Sequence, residues 1–273
     1  MPKYKNSIFS KLPKVGTTIF TKMSAMATQY KALNLSQGFP DFQIDDQLIQ
    51  LAQKSMKSGF NQYAPMPGLM QLRERIAEKI FNQYQIEYNP ESEITITSGA
   101  TQAIFTAIAA FVKEEDEVII FTPAYDCYQP AIELVGGKPV FVQMKSPEYK
   151  VNWEEVKKLI SQRTRMIIIN TPHNPTGTLL SIEDLKELDK ITADSEIIIL
   201  SDEVYEHIVF DEIEHASICK NKRLADRTLA VYSFGKTFHI TGWKMGYCIG
   251  PKELMVEFRK VHQFNVFSSN HPL

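Results

Sequence analysis

Thr228-Leu229-Ala230-Val231-Tyr232, followed by Ser233-Phe234-Gly235-Lys236-Thr237-Phe238-His239-Ile240-Thr241-Gly242-Trp243-Lys244, decides how the chain is read. The first five residues are a short apolar run, β-branched and aromatic, with the pattern of a buried strand. Such a strand delivers Lys236 just past its end, beyond a hydroxyl (Ser233) and a glycine, with Lys244 following downstream. In open α/β sheets, ligands sit in the crevice outside the carboxyl ends of the strands. A lysine held there, partly desolvated and beside a second cation, has its neutral amine favoured, which suits Schiff-base chemistry. A lone lysine is ordinarily a solvated surface group, so the reading depends on the other segments.

Outward from this stretch the pattern alternates. From residue 93 onward, strands are expected at 94–97, 117–121, 139–143, 165–170, 196–200, 228–232 and 245–249. Helical stretches fall between them near 101–112, 125–135, 153–162 and 181–193. The last opens with Ser181-Ile182-Glu183-Asp184, a capping box with Asp in the usual Glu position. A final helix runs from Pro251 toward Phe264. This alternation predicts an α/β fold: a doubly wound, mostly parallel seven-stranded sheet with helices on both faces.

Upstream, residues 1–43 show little periodicity beyond a short helix around Met23–Tyr30, and end in the loop Asn34–Phe42. Gly38 there marks a place where backbone comes close to something. Leu48, Leu51, Ala52 and Met56 mark one helix, stopped by Gly59; Leu69, Leu72, Ile76 and Ile80 mark another. Between them lies a proline-rich connector that includes Tyr63.

Composition narrows the classes of partner. The chain has 273 residues, 44% hydrophobic and 23% charged, with a formal net charge of −2. That balance gives no electrostatic case for nucleic acid or an anionic membrane. No apolar run has the length of a bilayer span, and no apolar h-region follows the N-terminus. Cys127, Cys219 and Cys248 are scattered and odd in number, which reads as reduced thiols in a cytoplasmic protein.

Four further segments place chemistry at strand ends. Ile94-Thr95-Ile96-Thr97-Ser98-Gly99-Ala100-Thr101-Gln102 is strand, tight turn and helix start, whose open N–H groups and helix dipole make an anion cradle. An ordinary turn capped by Ser98 or Thr101 is the alternative. Neither a dinucleotide fingerprint nor a Walker loop is present, so a phosphomonoester is the better ligand. Asn170-Thr171-Pro172-His173-Asn174-Pro175-Thr176-Gly177 puts amides past a strand of three isoleucines. In Ser201-Asp202-Glu203-Val204-Tyr205-Glu206-His207, Asp202 sits where a buried carboxylate needs a cationic or protonated partner. A pyridinium nitrogen is such a partner, and Tyr205 and Asn174 suit as donors to a phenolate oxygen. Asp202, Glu203 and His207 also allow a metal reading, against which no second histidine stands at ligand spacing. Tyr125, past another strand end, has the shape to stack on a flat ring or to pack a helix.

Together these segments resemble the class I/II aminotransferases of the pyridoxal-phosphate fold type I, nearest to the methionine aminotransferase and kynurenine–oxoglutarate (glutamine transaminase K) branch. The resemblance runs from about Leu12 to the last residue. It implies pyridoxal 5'-phosphate as cofactor, with Lys236 as the lysine of the internal aldimine. It makes Asp202 the carboxylate on the pyridine nitrogen, and Asn174 and Tyr205 the groups on the ring hydroxyl oxygen. Ala100, Thr101, Ser233 and Lys244 match phosphate ligands, Lys244 standing where many relatives carry arginine, and Tyr125 matches the stacking aromatic. Gly38 and Asn174 match contacts to the substrate. Tyr63 matches a tyrosine that reaches the phosphate of a neighbouring subunit's cofactor, which implies a homodimer.

Lys236, Asp202 and Tyr205 are thus the expected catalytic residues, and no metal is implied. The implied substrates are an amino acid (methionine, aromatic or glutamine-like) and a 2-oxo acid, with Phe20, Phe39 and Tyr63 near the entrance. On this resemblance, residues 1–43 are an N-terminal arm and substrate loop, and 44–273 the large cofactor-binding domain. The family continues into a small domain with an arginine for the substrate carboxylate. Its absence from the sequence implies weaker binding and turnover and exposed apolar surface. A cysteine-conjugate β-lyase, and a cofactor-binding remnant without activity, are the alternative functions; the missing glycine fingerprint disfavours an NAD-linked enzyme.

Overall fold

The computed structural model describes residues 2–38, 40 and 42–273, in two compact units, Met1–Gln43 and Ile44–Leu273. Phe39 lies outside the described residues.

In the first unit, helix α1 spans Ile19–Tyr30, starting four residues earlier than the periodicity indicates. The reason is a cap: the Thr18 hydroxyl accepts the Thr21 N–H, satisfying a first-turn donor that would otherwise be orphaned. The helix ends at Lys31, which adopts a left-handed conformation and donates to Ala27.

The second unit is built on one seven-stranded sheet. In chain order its elements are α2 (Asp46–Lys57), α3 (Met70–Tyr84), β1 (Ile94–Thr97), α4 (Ala100–Phe111), β2 (Glu117–Thr122), α5 (Tyr128–Leu134), β3 (Lys138–Gln143) and α6 (Trp153–Leu159). Then come β4 (Thr164–Asn170), α7 (Ile182–Thr192), β5 (Ile198–Asp202), α8 (Lys222–Ala225), β6 (Thr228–Ser233), α9 (Phe234–Thr237), β7 (Gly246–Ile249) and α10 (Lys252–Asn265). The strand order is β1-β7-β6-β5-β4-β2-β3. Every neighbouring pair is parallel except the two that β7 makes with β6 and β1. The doubly wound, mostly parallel sheet is therefore as expected, and β7 enters it in reverse.

Alternation along the strands sorts the core into two layers, because successive side chains point to opposite faces. Ile119, Ile167, Ile199 and Ala230 face one way and pack on α3, α6 and α7 through Ile80, Val156 and Leu188. Val118, Ile120, Ile168, Leu200 and Val231 face the other way and pack on α4, α5 and α10 through Ile104, Ile132 and Phe258. Strands buried on both faces read as continuous apolar runs, which is why β4 carries three successive isoleucines.

Two boundaries differ from expectation in ways that matter. The strand expected at 196–200 runs Ile198–Asp202, with Asn170 paired to Asp202 in the β4–β5 ladder. Glu196 has its side chain in solvent, and Asp202 is the last residue of the strand rather than a residue beyond it. The helix expected at 125–135 begins at Tyr128, leaving Tyr125 in the connection after β2. The capping box of α7 is present in full, Ser181 and Asp184 each accepting the other's backbone N–H.

Candidate functional site

Parity fixes where the central carboxylate points. Along β5, Ile198 and Leu200 face the α4/α5 layer, so Asp202, two residues on, faces the same layer, and Glu203 faces the opposite one. Asp202 is 3% exposed. Its Oδ2 accepts the Tyr128 O–H at 2.5 Å and its Oδ1 accepts the Val204 N–H at 3.3 Å. Burial pushes its pKa up to about 6, although the bonds from Tyr128 and Val204 and the charge of Lys236 pull the other way. A carboxylate in that condition is stabilised by any cation that docks beside it.

The strand ends around it bring the predicted donors together. Asn170, at the end of β4, uses its Nδ2 to hold the Asp202 carbonyl at 2.9 Å and its Oδ1 to accept the Asn174 N–H at 2.7 Å. That brace fixes the loop carrying Asn174, whose Nδ2 donates to the Tyr205 hydroxyl at 3.4 Å. Lys236 lies in α9, the single turn that follows β6, with Nζ 5.2 Å from the centre of the Tyr205 ring. The residue is exposed, yet partial desolvation of the amine, the largest cause, and the nearby Lys244 lower its pKa, against the pull of Asp202. A lowered pKa raises the fraction of free amine, the form that attacks a carbonyl.

Helix α4 is entered through Gly99, at φ 78°, with no side-chain cap, so neither Ser98 nor Thr101 closes it. The first N–H groups remain open beside the positive end of the helix dipole. Lys244, itself left-handed at φ 56°, lies against this turn: a Cβ placed on Gly99 would meet Lys244 Cε and Nζ at 3.5 Å. Behind the turn, Gly246 allows the sheet and the helix start to touch. A Cβ there would lie 2.6 Å from the Tyr232 carbonyl oxygen and 3.1 Å from the Ala100 nitrogen. Burial raises the pKa of the Tyr125 phenol, against a pull downward from the neighbouring Thr101 side chain. Tyr125 stands edge-on to Tyr128, ring centres 5.8 Å apart. Ser233, the residue before α9, is half-buried, its Oγ within 3.2 Å of where a Cβ on Gly235 would sit.

Lys236, Asp202, Tyr205, Asn174, Tyr125, Thr101, Ala100, Ser233 and Lys244 thus lie on neighbouring strand ends and the turns that follow them. Tyr63 is apart, 78% exposed and edge-on to Phe267 at 5.1 Å. Gly38 belongs to the first unit; among the described residues nothing lies within 4 Å of a Cβ built on it. The metal reading has no geometric support, because Glu203 turns away from Asp202. Glu203 Oε2 meets His215 Nε2 at 2.9 Å and the Tyr232 hydroxyl at 3.3 Å; its Oε1 accepts from Ser201 at 2.9 Å and the Ile218 N–H at 3.0 Å. His207 lies beside Glu206, at 3.5 Å. Sequence reasoning missed Tyr128 and Asn170. The strand end at Asn170 was in view, but its brace to Asp202 depends on strand pairing.

The donor set fits one kind of ligand: a flat ring with an aldehyde for Lys236, a basic nitrogen for Asp202, a hydroxyl for Asn174 and Tyr205, and a phosphate for the α4 turn. Comparison with known proteins shows the family. Residues 30–272 match the family model for aminotransferase class I and II. The chain is 49% identical over 263 residues to the methionine aminotransferase of Escherichia coli, covering 96% of this chain and 68% of that protein. It is 35% identical over 270 residues to kynurenine–oxoglutarate transaminase 1 of Rattus norvegicus, covering 94% and 64%. A solved Escherichia coli structure with methionine aminotransferase function superposes with a TM-score of 0.95 at 48% identity, covering 98% of this chain and 70% of that one. N-succinyldiaminopimelate aminotransferase from Mycobacterium tuberculosis superposes with a TM-score of 0.93 at 36% identity, covering 97% and 70%.

Proposed function

The chain belongs to the class I and II aminotransferases, and from that premise we propose that Lys236, Asp202 and Tyr205 perform its amino-group transfer. Members of the family use pyridoxal phosphate, which when bound draws electron density away from the Cα of an amino acid. The observation that carries the assignment is Asp202: a buried carboxylate with a raised pKa, facing the same strand-end crevice as a lysine whose pKa is lowered.

Each residue then has a physical task. Asp202, ionised by a cation opposite it, holds a proton on the ring nitrogen. Asn174 Nδ2 and the Tyr205 O–H would donate to the ring hydroxyl oxygen, and Asn174 would also contact the substrate. The N–H groups of Ala100 and Thr101, with the Ser233 and Lys244 side chains, bind the phosphate. Tyr125 covers the ring face. Lys236 Nζ would hold the cofactor through its aldehyde, and the same amine, when free, would be the base for the substrate's α-proton.

Methionine or aromatic amino acids as donors, with a 2-oxo acid as acceptor, are supported by the names of the relatives; glutamine-like donors rest on the resemblance to the glutamine transaminase K branch. Residues 44–273 form the cofactor-binding domain in this reading, and residues 1–43 the arm and substrate loop. The protein works as a homodimer, in which the exposed Tyr63 is available to a partner's phosphate. A cytoplasmic location is supported by three free cysteines. Among the described residues no helix is long and apolar enough to cross a membrane.

The test is absorption spectroscopy. Pyridoxal phosphate added to the purified protein gives a band at the edge of the visible that methionine bleaches, and Lys236→Ala abolishes the band. A Lys236→Ala protein with the same band and the same activity would remove Lys236 from the reaction.

A further inference from the structure

We propose that Tyr128 is a positioning residue of the reaction: its phenol holds Asp202 as a carboxylate anion and so leaves the shared proton on the cofactor's ring nitrogen. The inference rests on the reading that Asp202 faces that nitrogen.

Tyr128 opens α5 and is 3% exposed, and its O–H donates to Asp202 Oδ2 at 2.5 Å. The second donor to this carboxylate, the Val204 N–H, is longer at 3.3 Å. A proton shared between a carboxylate and a pyridine nitrogen resides on the more basic of the two. Every hydrogen bond donated to the carboxylate lowers its basicity, most of all a short one in a buried setting. Burial works the other way, favouring the neutral acid, and Glu203, next in the chain, adds to it.

The remaining neighbours do not replace the phenol. Lys236 on α9 acts in the same sense as Tyr128, but its amine is the group spent on the cofactor. Tyr125, Cys127 and Tyr205 all have pKa values raised by burial and stay neutral. Tyr128 is thus the one strong, fixed donor described at Asp202. Its ring also stands edge-on to Tyr125, the aromatic assigned to the ring face, so one side chain supports both contacts.

The full chain with ¹³C-labelled aspartate carboxyls, free of cofactor, reads the effect directly, with Asp202→Asn assigning the resonance. Tyr128→Phe raises the Asp202 titration midpoint, a gain of about 10- to 100-fold in proton affinity. A ring-monofluorinated tyrosine at position 128, a stronger donor, lowers it. With ¹⁵N-labelled pyridoxal phosphate bound, the ring-nitrogen shift moves toward the unprotonated value in Tyr128→Phe. Opposite displacements by the two variants are what a packing role cannot produce. If Tyr128→Phe does not fold, the fluorinated protein decides alone. A midpoint that stays put, or moves the wrong way, overturns the role of Tyr128. A ring-nitrogen shift that is the same in Asp202→Asn as in the unaltered protein overturns instead the placement of Asp202, and the two failures are told apart.

Discussion

Replacing Asp202 with asparagine removes a buried acid whose ionisation works against the fold when no cofactor is bound. In the folded chain its pKa is pushed up to about 6, against about 3.9 for an unfolded aspartate. The folded state therefore holds this proton more tightly than the unfolded state does. The resulting stabilisation is fully present below about pH 4 and is lost as pH rises through about 6, because the unfolded state binds fewer protons across that window. The gap of roughly two pH units corresponds to about 3 kcal/mol at 1.36 kcal/mol each. Full burial of the group means that solvent screening does not reduce this figure.

The assay is urea unfolding of cofactor-free protein at a series of pH values, comparing Asp202→Asn with the unaltered chain. Taking the difference cancels every other titrating group. The advantage of Asp202→Asn grows by about 3 kcal/mol between about pH 4 and pH 7. Pyridoxal phosphate at about 1,000 times its Kd reverses the order at neutral pH, since it adds about 4.1 kcal/mol, more than the about 3 kcal/mol lost, and only the unaltered site offers the ring nitrogen an anion. A difference that is flat, or that shrinks with rising pH, would refute the claim that Asp202 is a buried acid awaiting a cation.

Other substitutions test other parts of the site. Gly246→Ala places a methyl 2.6 Å from the Tyr232 carbonyl and 3.1 Å from the Ala100 nitrogen. It costs about 1–3 kcal/mol and weakens phosphate binding, measurable by urea unfolding and inorganic phosphate titration. Glu203→Ala leaves His215, Ser201 and the Ile218 N–H without their buried acceptor. It costs about 3–5 kcal/mol, and calorimetry that finds an unchanged Tm would contradict the role of Glu203 in tying β5 to the segment around His215. Tyr205→Phe deletes one donor to the ring hydroxyl and weakens cofactor affinity by about 10-fold, the equivalent of one hydrogen bond; equal affinity by fluorescence titration would place Tyr205 elsewhere.

Much of this architecture was legible because buried parallel strands are apolar on both faces. Runs such as Met166–Asn170 and Thr228–Tyr232 announced themselves, and the residues just past them could be read as a site before any contact was known. What could not be read depended on pairing between distant segments. The reversed entry of β7 is set by its register against β1 and β6, and its sequence is as apolar as that of a parallel strand. Tyr128 looks in sequence like any helix aromatic, since its phenol meets a carboxylate 74 residues away. The end of β5 was misplaced by two residues because Ser201 and Asp202 are polar, although the ladder with β4 extends through both. Whether Ser98 or Thr101 caps α4 is not legible in the sequence, because it depends on the conformation of Gly99, and no side-chain cap is made.

The central claim is that one amine, Lys236 Nζ, holds the cofactor. Borohydride reduction of the protein loaded with pyridoxal phosphate makes that attachment permanent, and mass spectrometry of its peptides then locates it. The account predicts the cofactor's mass on Lys236, with Lys244 unmodified and with prior addition of methionine preventing the labelling. Stable attachment to Lys244 or to another lysine, with Lys236 unmodified, would contradict it.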